Sequence, residues 1–448
     1  MTVKNTSLKR ILSTKGLVLF GLAYMVPLGI FTTYGQVTVL SEGRLPLAYL
    51  ITIITILFTA LSYCHMTRSL PLAGSAYSYV RTLFGSELGF LVGWAQILDY
   101  LFIPILNYLV IGLYLNEVFP DIPSDIFILA AIISVTTLNI IGVRVLTSVN
   151  FILISSQIFF IVVFLFLGLS DIELNMEDLL RPIDISSGTT SSLFSSAAIL
   201  CLAFLGFDAI ATMAEDTDNP KKNLPKAIIT TVLTAGFLFI IISYVGHLVY
   251  PDWKNLIPIQ DTAGVYISEF IGGAFMAKFF LATYLTGVYA SAMSAQTSVS
   301  RIFFAMGREG VLPKKIFYRL HNRYKTPFIA IIIVACLSLT SLKLDLNLVV
   351  SMISFGALVT FTFVNISVIK LFIVDQKKYQ ALDIIKYGVF PLFGIFMCIW
   401  LWTSLDSTAF RAGVSWIGFG VLYLLYLTRL FTKPAPSISH DEIEEIIK

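Results

Sequence analysis

Two acidic residues lie inside long apolar stretches of the chain, where a charge is unexpected. Asp208 occurs in CLAFLGFDAIATMAED, and Asp99 occurs in GWAQILDYLF. If these stretches cross a membrane, an ionised carboxylate at the helix centre costs about 2.5–3.5 kcal/mol, which makes both residues functional candidates. We expect Asp208 to attract a cationic substrate, to carry a coupled proton, or to bind freed backbone amides. For Asp99, a role in binding competes with a helix-to-helix hydrogen bond in the protonated state.

Helix-breaking residues interrupt two of the apolar stretches at their midpoints. Pro27 and Gly29 lie in GLAYMVPLGIFTTYG, and Gly206 lies two residues before Asp208. Proline removes a backbone donor and glycine permits conformations that a helix does not use. In lipid, the freed backbone groups are tolerated only against protein or a water-filled cavity. Two breaks at matching positions predict two five-helix repeats of inverted topology, with a substrate site where they meet.

Four aromatic residues flank these breaks. Tyr24 and Tyr34 lie on either side of the first break, and Phe204 and Phe207 surround Gly206. The face of an aromatic ring attracts an ammonium group by a cation–π interaction. Ordinary packing is the competing interpretation for each ring. The pattern therefore favours a site for a cationic amine without assigning a role to any single aromatic residue.

The composition excludes a soluble enzyme and a disordered chain. Of 448 residues, 57% are hydrophobic and only 13% are charged, whereas soluble domains carry about 25% charged residues. Disorder requires low hydrophobicity and high charge. The sequence also lacks HExxH, GxSxG and the Walker motif GxxxxGK[ST]. An all-α membrane protein that is not an enzyme is the class that remains.

Hydropathy predicts twelve membrane helices. The apolar runs are 16–40, 46–66, 87–117, 125–142, 145–169, 191–215, 226–250, 273–300, 326–342, 347–373, 386–406 and 412–431. An even number of helices places both termini on one side, and most of the 30 Lys and Arg residues fall on that same side. Since cytoplasmic loops carry the excess of basic residues, both termini are predicted to be cytoplasmic in a multi-pass cell-membrane protein.

The same pattern divides the chain into segments. The predicted segments are an N-terminal tail (1–15), a first five-helix repeat (16–169), a second, inverted repeat (191–373), helices 11 and 12 (386–431) and a C-terminal tail (432–448). The two broken helices are then helices 1 and 6, the first of each repeat. A substrate site near the membrane midplane is the expected consequence of this arrangement.

Several stretches resemble the amino acid–polyamine–organocation (APC) transporter superfamily. The stretches are FLGFDAIATMAEDTDNPKKNLPKAI (Phe204–Ile228), LPLAGSAYSYV (Leu70–Val80) and SRIFFAMGREGVLPKKIFYRLHNRYKTP (Ser300–Pro327). Three further stretches look like bacterial putrescine importers: AYMVPLGIFTTYGQV, ILDYLFIPILN and SFGALVTFTFVNISV. The resemblance implies a LeuT-type fold and proton-coupled uptake of a small cationic amine. It implies no cofactor, no metal and no nucleic acid partner.

One position departs from the pattern of some relatives. Certain proton-coupled amino acid carriers of this superfamily have a lysine in helix 5, whereas the corresponding stretch here, NFILISSQIFF, offers Gln157. The resemblance then leaves Asp208 as the candidate for proton coupling. Sodium is disfavoured, although Ser291 and Ser294 in helix 8 offer hydroxyl groups that suit this ion.

The first break also bears on the substrate. Amino acid carriers of this fold hold the substrate carboxylate on free amides in helix 1, where glycines allow a close approach. The stretch Pro27-Leu28-Gly29 offers one glycine and a proline that has no N–H, so it favours a diamine, putrescine above all, over an amino acid. The predicted substrate site comprises Pro27, Leu28, Gly29, Tyr34, Asp99, Phe204, Phe207 and Asp208.

Two alternatives remain at this stage. The first is a permease for a cationic or neutral amino acid with the same fold. The second is an intramembrane enzyme or a sensor of transporter fold, for which the sequence offers neither a catalytic motif nor a long soluble extension. The residues therefore favour transport, with the substrate class still open between amines and amino acids.

Overall fold

The structure of the chain is a computed structural model. It describes residues 8, 10–170, 179–185, 188–405 and 407–436, without the side chain of Asp261. The predicted tails, 1–15 and 432–448, lie mostly outside these residues. The described residues are helical, apart from loops and one isolated bridge between Leu12 and Thr217. This confirms the prediction of an all-α protein.

Twelve helices correspond one by one to the predicted apolar runs. They are α1 (Thr14–Leu40), α2 (Leu45–Ser69), α3 (Ser86–Val118), α4 (Ser124–Ile141), α5 (Val143–Ser170), α6 (Thr190–Asp216), α7 (Pro220–Val249), α8 (Ala263–Glu309), α9 (Phe328–Leu342), α10 (Leu346–Asp375), α11 (Ala381–Thr403) and α12 (Ser407–Thr428). Eleven of these helices are long and apolar enough to cross a membrane, and α9 is a shorter apolar helix.

The helix α8 is longer than its apolar run because it includes an additional arm. The backbone leaves helical geometry at Gly272 and Gly273, where Gly273 has a φ of 65°. This left-handed conformation favours glycine because it has no Cβ. The arm that precedes these two glycines contains Glu269 and lies before the predicted apolar run of 273–300.

Both predicted breaks are present in the backbone. In α1, Val26 has a φ of 53° and a short 3₁₀ turn follows over Pro27–Gly29. In α6, Gly206 has a φ of 124°, and a Cβ at this position would lie 2.6 Å from the ring of Tyr24. A positive φ is strained for a β-branched residue such as Val26, and the surrounding structure must stabilise it. The two broken helices therefore contact each other at their breaks.

Close packing against α10 holds the helix that carries Asp99. A Cβ at Gly356 of α10 would lie 2.6 Å from the backbone nitrogen of Asp99 and 2.8 Å from the carbonyl oxygen of Ala95. Only glycine permits these two backbones to come so near. Gly356 thereby allows the backbone of α3 at Asp99 to lie directly against α10.

The first and last described residues lie at one end of the bundle, and we call this end the terminal face. Leu12 pairs there with Thr217, which follows α6. The backbone N–H of Ala435 donates to Glu87 at the start of α3. Pro436 lies beside Gly310, the residue that ends α8. The ends of α1, α3, α6, α8 and α12 therefore meet at this face.

Buried ion pairs hold the terminal face together. They are Arg301 with Asp216 at 3.1 Å, Arg308 with Glu215 at 2.8 Å, and Arg81 with Glu309 at 3.1 Å. Each of these side chains is at most 10% exposed. Tyr77 also donates a hydrogen bond to Glu309. Because removing one partner of a buried pair costs about 3–5 kcal/mol, the first two pairs attach the end of α6 firmly to α8, and the third attaches the segment before α3 to the end of α8.

Hydrogen bonds at the opposite face join the turn after α1 to the start of α6. Arg44 donates to the carbonyl oxygen of Thr189 at 2.9 Å and to Ser192 Oγ at 3.0 Å. Glu42 accepts from the hydroxyl of Thr189 at 3.1 Å. Hydrogen bonds from Ser192 and Thr189 hold the pKa of Glu42 below its usual range. The outer half of each broken helix is thus joined to the other by polar contacts.

We expect Gly356→Ala to destabilise the protein. The added methyl group would overlap the backbone of α3, and overpacking of this kind costs about 1–3 kcal/mol. Thermal unfolding in detergent measures the loss as a lower melting temperature. Gly418→Ala on α12 is the matched control, because no atom lies within 4 Å of a Cβ at that position. Equal melting temperatures for the two variants would contradict the close packing of α3 and α10.

Candidate substrate site

Asp208 lies directly after the break in α6 and binds groups on two helices. The backbone N–H of Gly206 donates to its Oδ1 at 3.1 Å, and the hydroxyl of Tyr100 donates to its Oδ2 at 2.5 Å. The residue is 1% exposed. The carboxyl group therefore satisfies a freed amide of the broken helix and links α6 to α3.

Asp99 lies on α3 next to Tyr100, and it is less fully bonded. It is 2% exposed, and its Oδ1 has no hydrogen-bond partner within the part of the chain that the structure describes. Its carboxyl group interacts electrostatically with that of Asp208. Since a buried polar atom is normally hydrogen-bonded, an acceptor without a partner indicates a place for a bound donor.

Three tyrosines complete the group around these two acids. Tyr24, Tyr63 and Tyr100 each interact electrostatically with both carboxyl groups. The rings of Tyr24 and Tyr100 meet edge to face at 6.2 Å. The hydroxyl of Tyr63 has no hydrogen-bond partner among the described residues. We call these five residues the two-carboxylate cluster.

Phe207 forms an apolar wall beside this cluster. Its ring contacts Tyr63 edge to face at 5.6 Å and lies 5.4 Å from the ring of Phe361 on α10. Phe361 also lines a cavity of about 210 Å³, together with Leu205 and Ala357. This cavity extends toward the face opposite the terminal face, where Leu405 and Ala409 line it. It therefore reaches the aromatic wall of the cluster from that face.

Two predicted site residues pack elsewhere. The ring of Phe204 lies edge to face on Phe239 of α7 at 5.3 Å. Tyr34 stacks on Phe31 at 6.1 Å, and its hydroxyl lies against Gly246 of α7. The structure thus brings Asp99, Asp208 and Phe207 together, whereas Phe204 and Tyr34 face α7.

The amides at the break in α1 are already occupied. The N–H of Leu28 donates to Gln157 Oε1 at 3.3 Å, and the N–H of Gly29 donates to the carbonyl oxygen of Val26 at 2.7 Å. Pro27 has no N–H. An anionic group needs several free amides at a helix end, so this segment offers little to a carboxylate. The side chain of Gln157 stabilises the break from α5.

Two serines of α8 complete the polar contacts near this break. Ser291 donates to the carbonyl oxygen of Tyr24 at 2.8 Å and accepts from the amide of Asn107 at 2.9 Å. Ser294 accepts from the side-chain amide of Asn150 at 3.0 Å. Both hydroxyls therefore take part in helix-to-helix hydrogen bonds, and Ser291 satisfies a carbonyl group freed by the break.

Sequence reasoning identified part of this cluster. Asp99 and Asp208 were identifiable because acids are rare in apolar helices, and Tyr24 because it flanks a break. Tyr100 adjoins Asp99 in the sequence, which was an available signal. Tyr63 carried no local signal, since it is one aromatic residue in an apolar helix and only tertiary packing brings α2 to the cluster.

Comparison with known proteins identifies relatives along nearly the whole chain. A putrescine importer of Escherichia coli K12, PlaP, is 35% identical over 96% of this chain and 97% of its own length. A branched-chain amino acid permease of Bacillus subtilis, BcaP, is 26% identical over 94% of this chain and 93% of its own. Mouse cationic amino acid transporter 4 is 28% identical over 82% of this chain and 60% of its own.

The model of the amino acid permease family matches residues 16–428, from the first turn of α1 to the end of α12. This range contains both breaks and the two-carboxylate cluster. The predicted LeuT-type fold is confirmed, and so is the prediction that the protein is a transporter of amino acids or amines rather than an enzyme. The chain belongs to the amino acid permease family of the APC superfamily.

Proposed function

We propose that the protein imports a small diamine, putrescine in particular, by proton symport. The observation that carries this proposal is the pair of buried carboxyl groups, Asp99 and Asp208, in one cluster. Two carboxylates balance the two ammonium groups of a diamine, and buried charges are tolerated when they are paired. Asp208 binds one ammonium group, and the unpartnered Oδ1 of Asp99 binds the second.

The break in α1 supports a substrate without a carboxylate. The N–H groups of Leu28 and Gly29 are already bonded, and Pro27 has none. Pro27, Leu28 and Gly29 therefore serve as an apolar wall for the methylene chain. The rings of Tyr24 and Phe207 add faces that attract ammonium groups. The name of the E. coli relative PlaP, a putrescine importer, agrees with this choice.

A cationic or neutral amino acid permease is the second candidate. The names of the B. subtilis and mouse relatives favour it. An amino acid would require the carboxylate to displace the bond between Leu28 and Gln157 or to meet the hydroxyl of Tyr63. Both carboxylates of the cluster would then face a substrate that carries an anionic group, which like-charge repulsion disfavours.

Asp208 is the proposed proton carrier, since α5 has Gln157 in place of an ionisable residue. A carboxyl group that is bonded to a broken helix can couple its protonation to the position of that helix. Deprotonation strengthens the hydrogen bonds from Gly206 and Tyr100. Protonation weakens them, while the carbonyl oxygen of the protonated carboxyl group still accepts a hydrogen bond from the amine, so that the proton and the amine are carried together as symport requires. The proton and the amine thereby act on one group.

We further propose that the terminal face is cytoplasmic and that the protein resides in the cell membrane. The support is the excess of Lys and Arg on this side. A cysteine in place of Lys254, in the loop before α8, should react with an impermeant reagent added to whole cells. A cysteine in place of Lys315 should react only after lysis. Cys336 should first be replaced by serine, because it is the exposed native cysteine among the described residues. The reverse pattern would contradict the orientation.

Competition in proteoliposomes tests the substrate. We expect unlabelled putrescine to suppress uptake of labelled putrescine far better than lysine, arginine or ornithine at equal concentration, because the site lacks a place for a carboxylate. In Asp99→Asn, the advantage of putrescine over butylamine should fall by roughly tenfold, since one charge-assisted hydrogen bond is lost. Glu117→Gln, on the exposed end of α3, is the matched control. Equal competition by an amino acid would favour the second candidate.

The role of Asp208 in coupling has a separate test. Asp208→Asn should abolish accumulation of putrescine driven by a pH gradient, because an amide cannot release a proton. Exchange of external for internal putrescine should persist at reduced affinity. Uptake under a sodium gradient without a pH gradient should be absent in the wild type. Accumulation at the wild-type level in Asp208→Asn would exclude this residue as the proton carrier.

A further inference from the structure

A cavity rich in basic residues lies between α2 and α7 at the terminal face. It has a volume of about 430 Å³. Its basic residues are His65 and Arg68 from the end of α2, and Lys222 and Lys226 from the start of α7. We call these four residues the basic pocket. It is separate from the two-carboxylate cluster, which lies near the middle of the bundle.

The positive charge of this pocket is not balanced by acids. No acidic residue lines the cavity, and Arg68, Lys222 and Lys226 form no ion pair within the described part of the chain. Lys378, in the turn between α10 and α11, and Lys386, in the first turns of α11, also act electrostatically on His65. The buried arginines of the terminal face differ, because each of them has a carboxylate partner. The pocket therefore favours an anion.

The remaining walls of the cavity are apolar except for Thr230 of α7. Leu61 and Cys64 of α2 and Pro225 and Ile229 of α7 line it beside the cations. Two further apolar residues continue this surface along α7 at a spacing of one helical turn. They are Leu233, 48% exposed, and Phe237, 63% exposed. A ligand that fits both parts has an anionic head and an apolar chain.

We propose that the basic pocket binds the phosphate headgroup of an anionic phospholipid. The phosphate contacts Arg68, Lys222 and Lys226, and one acyl chain follows the exposed apolar residues of α7. Arg68 lies in the last turn of α2 and Lys222 in the first turn of α7, which places the pocket at the boundary between water and lipid. Basic pockets between membrane helices at this depth suit lipid headgroups. A free phosphate ion would leave the apolar wall uncovered.

Native mass spectrometry of the full-length protein in detergent tests this site. We expect the wild type to retain phosphatidylglycerol at lipid concentrations at which phosphatidylcholine is lost. Each basic residue near a membrane surface contributes about fivefold in affinity, so Arg68→Gln with Lys226→Gln should weaken retention by roughly tenfold or more. Lys314→Gln with Lys315→Gln removes two exposed charges elsewhere on the same face and should leave retention unchanged.

Four results would overturn the proposal. Equal retention of the two lipids by the wild type does so without any variant. If the two double variants weaken lipid retention to the same extent, general surface charge is responsible rather than the basic pocket. Displacement of the lipid by millimolar inorganic phosphate would indicate a free-anion site. The last result concerns folding. If Arg68→Gln with Lys226→Gln lowers both the lipid retention and the melting temperature, and Arg68→Lys with Lys226 intact restores neither quantity, Arg68 has a structural role.

Discussion

A polar backbone group inside a membrane must find a partner in the protein, and this requirement shapes the centre of the molecule. The breaks in α1 and α6 free several such groups. Gln157 accepts from the amide of Leu28, Ser291 donates to the carbonyl of Tyr24, and Asp208 accepts from the amide of Gly206. These side chains come from α5, α8 and α6 itself. The hydrogen bonds that satisfy the freed backbone groups therefore also fix the positions of α5, α6 and α8 around the breaks.

Asp208 and Asp99 have different proposed roles because their surroundings differ. Asp208 is bonded through both oxygens, so it stabilises the break and responds to any change in it. Asp99 keeps an acceptor without a partner among the described residues. Between the two acids and the terminal face, buried ion pairs close the bundle. From the opposite face, a cavity extends to Phe361. In the proposed cycle, a diamine reaches the cluster through that cavity before the ion pairs of the terminal face separate.

Hydropathy and helix breakers were sufficient to predict most of the fold. Twelve helices with breaks at Pro27 and Gly206 follow from rules that hold for any chain in lipid, and the structure confirms them. Side-chain direction was not predictable in the same way. Tyr34 and Phe204 lie close to the breaks in sequence, yet the rotation of each helix directs them toward α7. Tyr63 reaches the cluster from α2 through tertiary packing alone, which no local pattern reveals.

The central claim is that two buried carboxylates bind the two ends of one diamine. An experimental structure determined with putrescine bound tests it most directly. The account predicts one terminal nitrogen within hydrogen-bond distance of Asp99 Oδ1 and the other against Asp208, with the methylene chain along Pro27, Leu28 and Gly29. Putrescine bound at another place, or with either nitrogen far from both carboxyl groups, would contradict it.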